Sequence, residues 1–152
     1  MSQPDDYLER ILTSRVYDVA VESPLDVAHN LSRRFNNQIL LKREDLQPVF
    51  SFKCRGAYNK MAHLTAAQLA RGVVAASAGN HAQGVALAAQ KLGTSATIVM
   101  PATTPRIKVD AVVARGAEVI LHGDNYDEAC AHATQQPKNP GRLLFTPMTI
   151  RM

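Results

Sequence analysis

The sequence predicts an α/β fold, an open parallel sheet with flanking helices, and three observations carry that prediction. From Gly72 onward, short runs of β-formers alternate with helix-period text. Strands are expected at Val73 to Ala76, Ala96 to Met100 and Glu118 to Leu121, and helices at Asn80 to Leu92, Pro105 to Arg115 and Tyr126 to Thr134. Three such units follow one another within about 60 residues, a β-α-β-α-β-α order that calls for right-handed crossovers between parallel strands. The composition fits: 152 residues, 46% hydrophobic and 20% charged, make one ordinary soluble domain or a piece of a larger one.

Ahead of that rhythm the pattern is less regular. Tyr7 to Val21 spaces Leu8, Ile11, Leu12 and Val16 as a helix does, until Ser23-Pro24 interrupts it. Leu25 to Phe35 resumes the spacing and predicts a second helix. Gln38 to Lys42, apolar after an Asn-Asn pair, predicts a short buried strand. A polar loop containing Pro48 runs from Arg43 to Ser51, and Gly56 to Leu64 predicts another helix. Thr65-Ala66-Ala67-Gln68 has the form of a capping box opening the next one.

Several function classes fall away. No run approaches the ~18 apolar residues of a membrane span, and the opening MSQPDDYLER is polar and acidic, unlike a secretory leader. Neither membrane nor secretion is expected. Cys54 and Cys130 show no metal-type spacing, so reduced thiols in a cytoplasmic setting and no structural metal are the expectation. The net charge of +4 invites a nucleic-acid reading until it is located. Residues 1–134 carry 14 Lys/Arg against 13 Asp/Glu, whereas 135–152 carry Lys138, Arg142 and Arg151 and no acid. The body is nearly neutral, and no nucleic-acid partner is expected.

In an open parallel sheet, ligands bind beyond the carboxyl ends of the strands, so the loops after Ala76, Met100 and Leu121 are the places to look. The first reads Ser77-Ala78-Gly79-Asn80-His81-Ala82-Gln83-Gly84. Small residues there let a ligand approach the backbone, and the helix-start N–H groups suit a carboxylate or phosphate. By itself the same text serves equally well as an N-cap with a tight turn. The second candidate is Ser51-Phe52-Lys53-Cys54-Arg55-Gly56-Ala57. A lysine amine attacks a carbonyl only when neutral, a form favoured by apolar neighbours or by a cation such as Arg55. Alone, Lys53 reads as a solvated lysine at a helix start. His81 and His122 read as ordinary polar residues, with no serine or cysteine paired to them in triad fashion.

Taken together the segments say more. Leu41-Lys42-Arg43-Glu44-Asp45-Leu46-Gln47-Pro48, then Ser51-Phe52-Lys53-Cys54-Arg55-Gly56-Ala57-Tyr58, then the Ser77 to Gly84 loop, resemble threonine dehydratase, also called threonine ammonia-lyase. The wording is most similar to its biosynthetic, isoleucine-pathway form. Ser23-Pro24-Leu25, Ile98-Val99-Met100-Pro101, Ile107-Lys108-Val109-Asp110-Ala111-Val112 and Gly116-Ala117-Glu118-Val119 extend the resemblance over residues 7–134.

The resemblance implies a pyridoxal-phosphate enzyme of fold-type II, with this chain an incomplete piece. Residues 1–52 would belong to the larger domain of a tryptophan-synthase-β-like fold, residues 53–134 would form its small α/β domain, and 135–152 would be a tail. Lys53 would form the Schiff base with the cofactor aldehyde, Phe52 would pack by the ring, and Asn80 would hydrogen-bond the 3-hydroxyl oxygen. Ser77, Ala78, Gly79, Asn80 and His81 would hold the substrate carboxylate. The freed lysine would then remove the α-proton and the β-hydroxyl would leave, turning threonine into 2-oxobutanoate and ammonia. Cys54 replaces a larger aliphatic residue, a change expected to affect packing. The intact family forms homo-oligomers. Serine dehydratase and serine racemase share the scaffold and stay open, as does a non-catalytic subunit docking on an intact paralogue.

Two family features have no counterpart here: a glycine-rich loop for the cofactor phosphate and a hydroxyl residue for the pyridine nitrogen. The tail suggests a reason. Arg142 to Met152 can be encoded so that the frame displaced by two bases spells T-F-V-H-P-Y-D-D-P-D-V, the family's text after this helix, with every shifted codon satisfied. A frameshift near Thr134 is therefore expected, with residues 135–152 out of frame and the chain inactive alone. The alternative is a divergent tail in which Leu143 to Phe145 supplies the next strand.

Overall fold

Residues that alternate between two apolar faces organise the centre of the molecule. The structure, a computed structural model, describes residues 4–135 and 143–144. Its elements in chain order are α1 (Pro4–Leu12), β1 (Leu25–Val27), α2 (His29–Phe35), β2 (Leu40–Lys42), α3 (Lys53–Ala62), α4 (Ala66–Arg71) and β3 (Val73–Ala76). There follow α5 (Asn80–Leu92), β4 (Ala96–Met100), α6 (Arg106–Val113), β5 (Glu118–Leu121), α7 (Tyr126–Gln135) and β6 (Leu143–Leu144). The main sheet runs β5-β4-β3-β6, all parallel.

Both central strands are buried along their whole length, as expected where helices cover both faces. Because side chains alternate along a strand, Val73, Ala75, Ala96, Ile98 and Met100 face one side. There they meet Tyr58 and Met61 of α3, Val85 and Ala89 of α5 and Val112 of α6. Val74, Ala76 and Val99 face the other side and meet Ala129 and Ala133 of α7. Thr65 opens α4 with the expected capping box, its hydroxyl accepting from the Gln68 N–H while the Gln68 side chain accepts from the Thr65 N–H.

The departures from expectation lie mainly before Gly72. α1 stops at Leu12 instead of running toward Val21. Thr13 Oγ1 donates to the Glu9 carbonyl (2.7 Å) and Ser14 Oγ to the Ile11 carbonyl (2.8 Å), local bonds that compete with continued helix. The single helix expected over Leu25 to Phe35 divides. Leu25–Val27 forms β1, antiparallel to β2 with Leu25 opposite Lys42, and only His29–Phe35 is helical. The strand expected to be buried at Gln38 to Lys42 exists as β2 but is exposed, because its only partner is the short, equally open β1 and no helix of the described residues packs over the pair. α3 begins three residues earlier than Gly56, at Lys53 itself, and ends at Ala62.

Most of the proposed tail lies outside the described residues. Leu143 and Leu144 pair in parallel with Val73 and Val74, the position the divergent-tail alternative assigns to a strand.

Candidate active site

The three strand-end loops play unequal parts. Those after β4 and β5 are tied to each other: Ala102 N–H donates to the Gly123 carbonyl (2.7 Å), His122 N–H to the Met100 carbonyl (2.9 Å) and Thr103 Oγ1 to the Asp124 carbonyl (3.2 Å). The His122 ring stacks on His132 with centroids 3.9 Å apart. The loop after β3 leads directly into α5, the helix that packs on α3.

That loop is shaped by Ser77. Its buried hydroxyl accepts from the N–H groups of Gly79 and Ala82, both at 3.3 Å, so Ser77 caps α5 from three residues before it. Ala78 and Asn80 N–H find no acceptor among the described residues. Ala78, Gly79 and His81 are half-buried and Asn80 is exposed at the first position of α5. The loop thus combines a cap made by Ser77 with two N–H donors that no described residue engages.

Gly84 brings the start of α3 against α5, the helix that follows this loop. A Cβ built on Gly84 would lie 2.8 Å from the Lys53 carbonyl oxygen and 3.0 Å from its carbon, so only hydrogen fits where α5 crosses the start of α3. Asn80 stands one turn before Gly84 on the same helical face, which turns it toward the same crossing. Lys53 is half-buried, and its Nζ lies 5.2 Å from the centroid of the Phe52 ring, itself 58% exposed. The Ser51 hydroxyl next to them is buried with no hydrogen-bond partner.

Arg55 does not act as the cationic neighbour of Lys53 that the sequence suggested. Its Nε and Nη2 donate to the two oxygens of Glu44 at 2.8 and 2.9 Å, because the planar fork of a guanidinium matches a carboxylate and holds it bidentately. These bonds with Arg55, then those from Ser23 and Gln47, outweigh partial burial and hold the Glu44 carboxyl down at about 2. Cys54 behaves as expected of a packing residue. It is fully buried with Ala20 and Val49, and burial pushes its thiol up, keeping it protonated. Sequence reasoning gave Ser23, Glu44 and Gln47 no role. Their signals were membership of the segments that carry the resemblance and, for Glu44 and Gln47, the density of charge and amide in the Pro48 loop. Among the described residues no group of His, Cys, Asp and Glu forms a metal site, and no helix is long and apolar enough to cross a membrane.

A lysine at the start of one helix, packed on a second helix that opens from a strand-end loop with spare donors, is what an enzyme needs to hold an aldehyde cofactor and an anion near each other. The family described as pyridoxal-phosphate dependent enzyme matches residues 17–149, and the chain belongs to it.

Within that class it is 59% identical over 145 residues to the L-threonine dehydratase biosynthetic IlvA of Burkholderia multivorans, an alignment covering 93% of this chain and 29% of that protein. The processed form of threonine deaminase isoform 2 from Solanum lycopersicum superposes with a TM-score of 0.88 at 53% identity, over 95% of this chain and 40% of that one. Maize serine racemase superposes at 0.86 with 28% identity, over 97% and 44%. The chain therefore spans less than a third of the curated dehydratase and under half of the solved structures.

The residues present fit part of the cofactor: Lys53 offers an amine, the Ser51 hydroxyl two residues before it is unpartnered, and the Ala78 and Asn80 N–H groups before and at the start of α5 find no acceptor among the described residues.

Proposed function

We propose that this chain carries the lysine-bearing part of a threonine dehydratase site and acts on an amino acid, threonine, in the complete enzyme. The observation that carries this reading is the Gly84 contact, which presses α5, the helix that follows the Ser77 to His81 loop, against the main chain of Lys53. Pyridoxal phosphate, when bound, supplies the aldehyde and a ring that accepts the electron pair left at the α-carbon. Lys53 holds the aldehyde at rest and, once displaced by the substrate amine, takes the α-proton on Nζ. Asn80 donates toward the ring hydroxyl oxygen, Phe52 lies by the ring, and the donors of Ser77, Ala78, Gly79, Asn80 and His81 hold the substrate carboxylate. Loss of the β-hydroxyl as water leaves an enamine whose imine tautomer, once released, takes up water to give 2-oxobutanoate and ammonia. The 59% identity to a biosynthetic dehydratase, set against 28% to a serine racemase, favours threonine over serine.

The same reading divides the chain at residues 52/53 and 134/135 and places it in the cytoplasm, where free Cys54 and Cys130 stay reduced. It takes the homo-oligomeric state from the intact enzymes. The phosphate loop and the pyridine-nitrogen partner have no counterpart in this text, so the chain by itself is expected not to turn over threonine. The frameshift near Thr134 belongs to this proposal; a gene whose displaced frame shows no dehydratase-like codons beyond Met148 would exclude it. Exposed Leu25, Val27, Leu40 and Leu41 suit the second reading, a subunit that docks on an intact paralogue, which would co-purify with it.

Reductive trapping tests the main reading. Treated with excess pyridoxal phosphate and then borohydride, the 152-residue chain should be labelled at Lys53 in preference to exposed Lys91 and Lys108. Lys53→Ala should remove that preference. Equal labelling of all lysines, or steady threonine turnover by the chain alone, would contradict the proposal.

A further inference from the structure

The polar segment Lys42 to Gln47 is part of the resemblance, yet no residue of it has a task in the proposed reaction. The geometry points to this segment as a clasp that positions Lys53, with Glu44 the positioning residue and Arg55 the link. The inference rests on the proposed role of Lys53 and adds the residues that set its place.

Four of the six side chains of the segment, Lys42, Arg43, Glu44 and Gln47, reach residues 21–26 or α3. Lys42 donates to the Ser23 carbonyl, and Arg43 to Asp26 (2.8 Å) and Asp45 (2.7 Å). Gln47, 1% exposed, brackets Val21 by accepting from its N–H (2.9 Å) and donating to its carbonyl (2.8 Å). Glu44 is the centre. Its Oε1 accepts from Ser23 Oγ (2.7 Å), Gln47 Nε2 (3.2 Å) and Arg55 Nη2, while Oε2 accepts from Arg55 Nε. Ser23 is buried and the Glu44 and Arg55 side chains are only 18% and 24% exposed, so the bonds are shielded from water and from salt. The carboxylates of this cluster each face a guanidinium, so it has no spare charge for a metal or a ligand. Holding is the chemistry left to it.

What it holds is the first turn of α3. Arg55 lies two residues after Lys53, and a bidentate pair fixes direction as well as distance, so Glu44 sets the rotation of α3 about its axis. The Lys53 carbonyl is meanwhile pressed against Gly84 of α5. With a clasp at Arg55 and a stop at Gly84, the turn bearing Lys53 is located from two sides. A reacting amine has to be held within about 0.5 Å of its productive place, and rotation of α3 would carry Nζ away from the Ser77 loop.

The test compares Glu44→Gln, which keeps shape and removes charge, with Arg55→Lys, which keeps charge and removes the fork. Two quantities are read: the ratio of borohydride-trapped pyridoxal phosphate on Lys53 to that on exposed Lys108, and hydrogen exchange of the Arg55 and Gly56 amides. The clasp predicts that Glu44→Gln lowers the Lys53 to Lys108 ratio about tenfold, the worth of one charge-assisted bond, with Lys108 labelling unchanged and exchange at Arg55 and Gly56 accelerated. Arg55→Lys should fall between Glu44→Gln and the unaltered chain. A ratio and exchange in Glu44→Gln equal to those of the unaltered chain overturn the clasp. If Glu44→Gln fails to fold by circular dichroism, Arg55→Lys decides in the same way. If the unaltered chain shows no preference for Lys53, the proposed function fails, and unchanged exchange at Arg55 and Gly56 then overturns the clasp separately.

Discussion

Replacing Gly84 by alanine adds one methyl group at the contact between α5 and α3. Its three nearest atoms would be main-chain: the Lys53 oxygen at 2.8 Å, the Lys53 carbon at 3.0 Å and the Cys54 nitrogen at 3.3 Å. The oxygen is some 0.6 Å inside the 3.4 Å at which ordinary contact begins. No side chain can rotate away, so one helix must shift against a core in which Cys54, Tyr58, Met61 and Val85 are 2% exposed or less. Overpacking of this kind costs about 1–3 kcal/mol. At the 2–4 °C per kcal/mol usual for about 150 residues, the melting temperature should fall by roughly 2–12 °C. Gly56→Ala is the matched control. Gly56 also sits within α3, but its Cβ meets nothing within 4 Å, and alanine there should stabilise by about 0.4–1 kcal/mol. The assay is thermal and urea unfolding followed by circular dichroism, with the Lys53 labelling ratio measured on each folded variant. Gly84→Ala should lower both stability and the ratio, while Gly56→Ala should raise stability and leave the ratio in place. A Gly84→Ala chain as stable as the unaltered one, with the same ratio, would refute the claim that this contact seats Lys53.

Other outcomes follow from the same structure. The Glu44 carboxyl, ordinarily near 4.5, is held at about 2, so its stabilisation is fully present above pH 4.5 and is lost as pH falls toward 2. Urea midpoints measured across that window should drop with acid, and Glu44→Gln should show a shallower drop. Thr65→Ala removes the capping hydroxyl of α4 and should cost about 1 kcal/mol in the same unfolding assay, with Thr65→Asn recovering most of it. Tyr58, 2% exposed, donates to Asp18 at 2.7 Å and draws that carboxyl below its usual range. Tyr58→Phe should therefore destabilise by about 1–3 kcal/mol and raise the Asp18 carboxyl, a shift visible by NMR titration.

The parallel layer was legible in the text because its signal is local. Strands β3, β4 and β5 and helix α5 begin and end where Val73, Ala96, Glu118 and Asn80 predicted, since each is bounded by its own Gly or turn residues. The capping box at Thr65 was equally legible, for donor and acceptor lie three residues apart. Lys53 and the Ser77 loop could be named as candidates for the same reason, each by its place beside a strand or helix end.

What the text did not reveal depends on residues distant in sequence. Leu25–Val27 carries a helical spacing yet becomes a strand, because Leu40–Lys42 offers it an edge and tertiary pairing overrides a weak propensity. Arg55 reads as a neighbour of Lys53 and becomes the partner of Glu44, eleven positions earlier. No pattern in the string could show that Gly84, thirty-one residues after Lys53, is the point where two helices touch, since that closeness exists only once β3 and β4 have stacked α5 onto α3. The layer, its turns and the chemistry at hand, an amine and a loop of donors, could be read from the string alone. That α5 presses on the main chain of Lys53 and that Glu44 grips Arg55 came from packing, because contact between segments far apart in the chain exists only once it has folded.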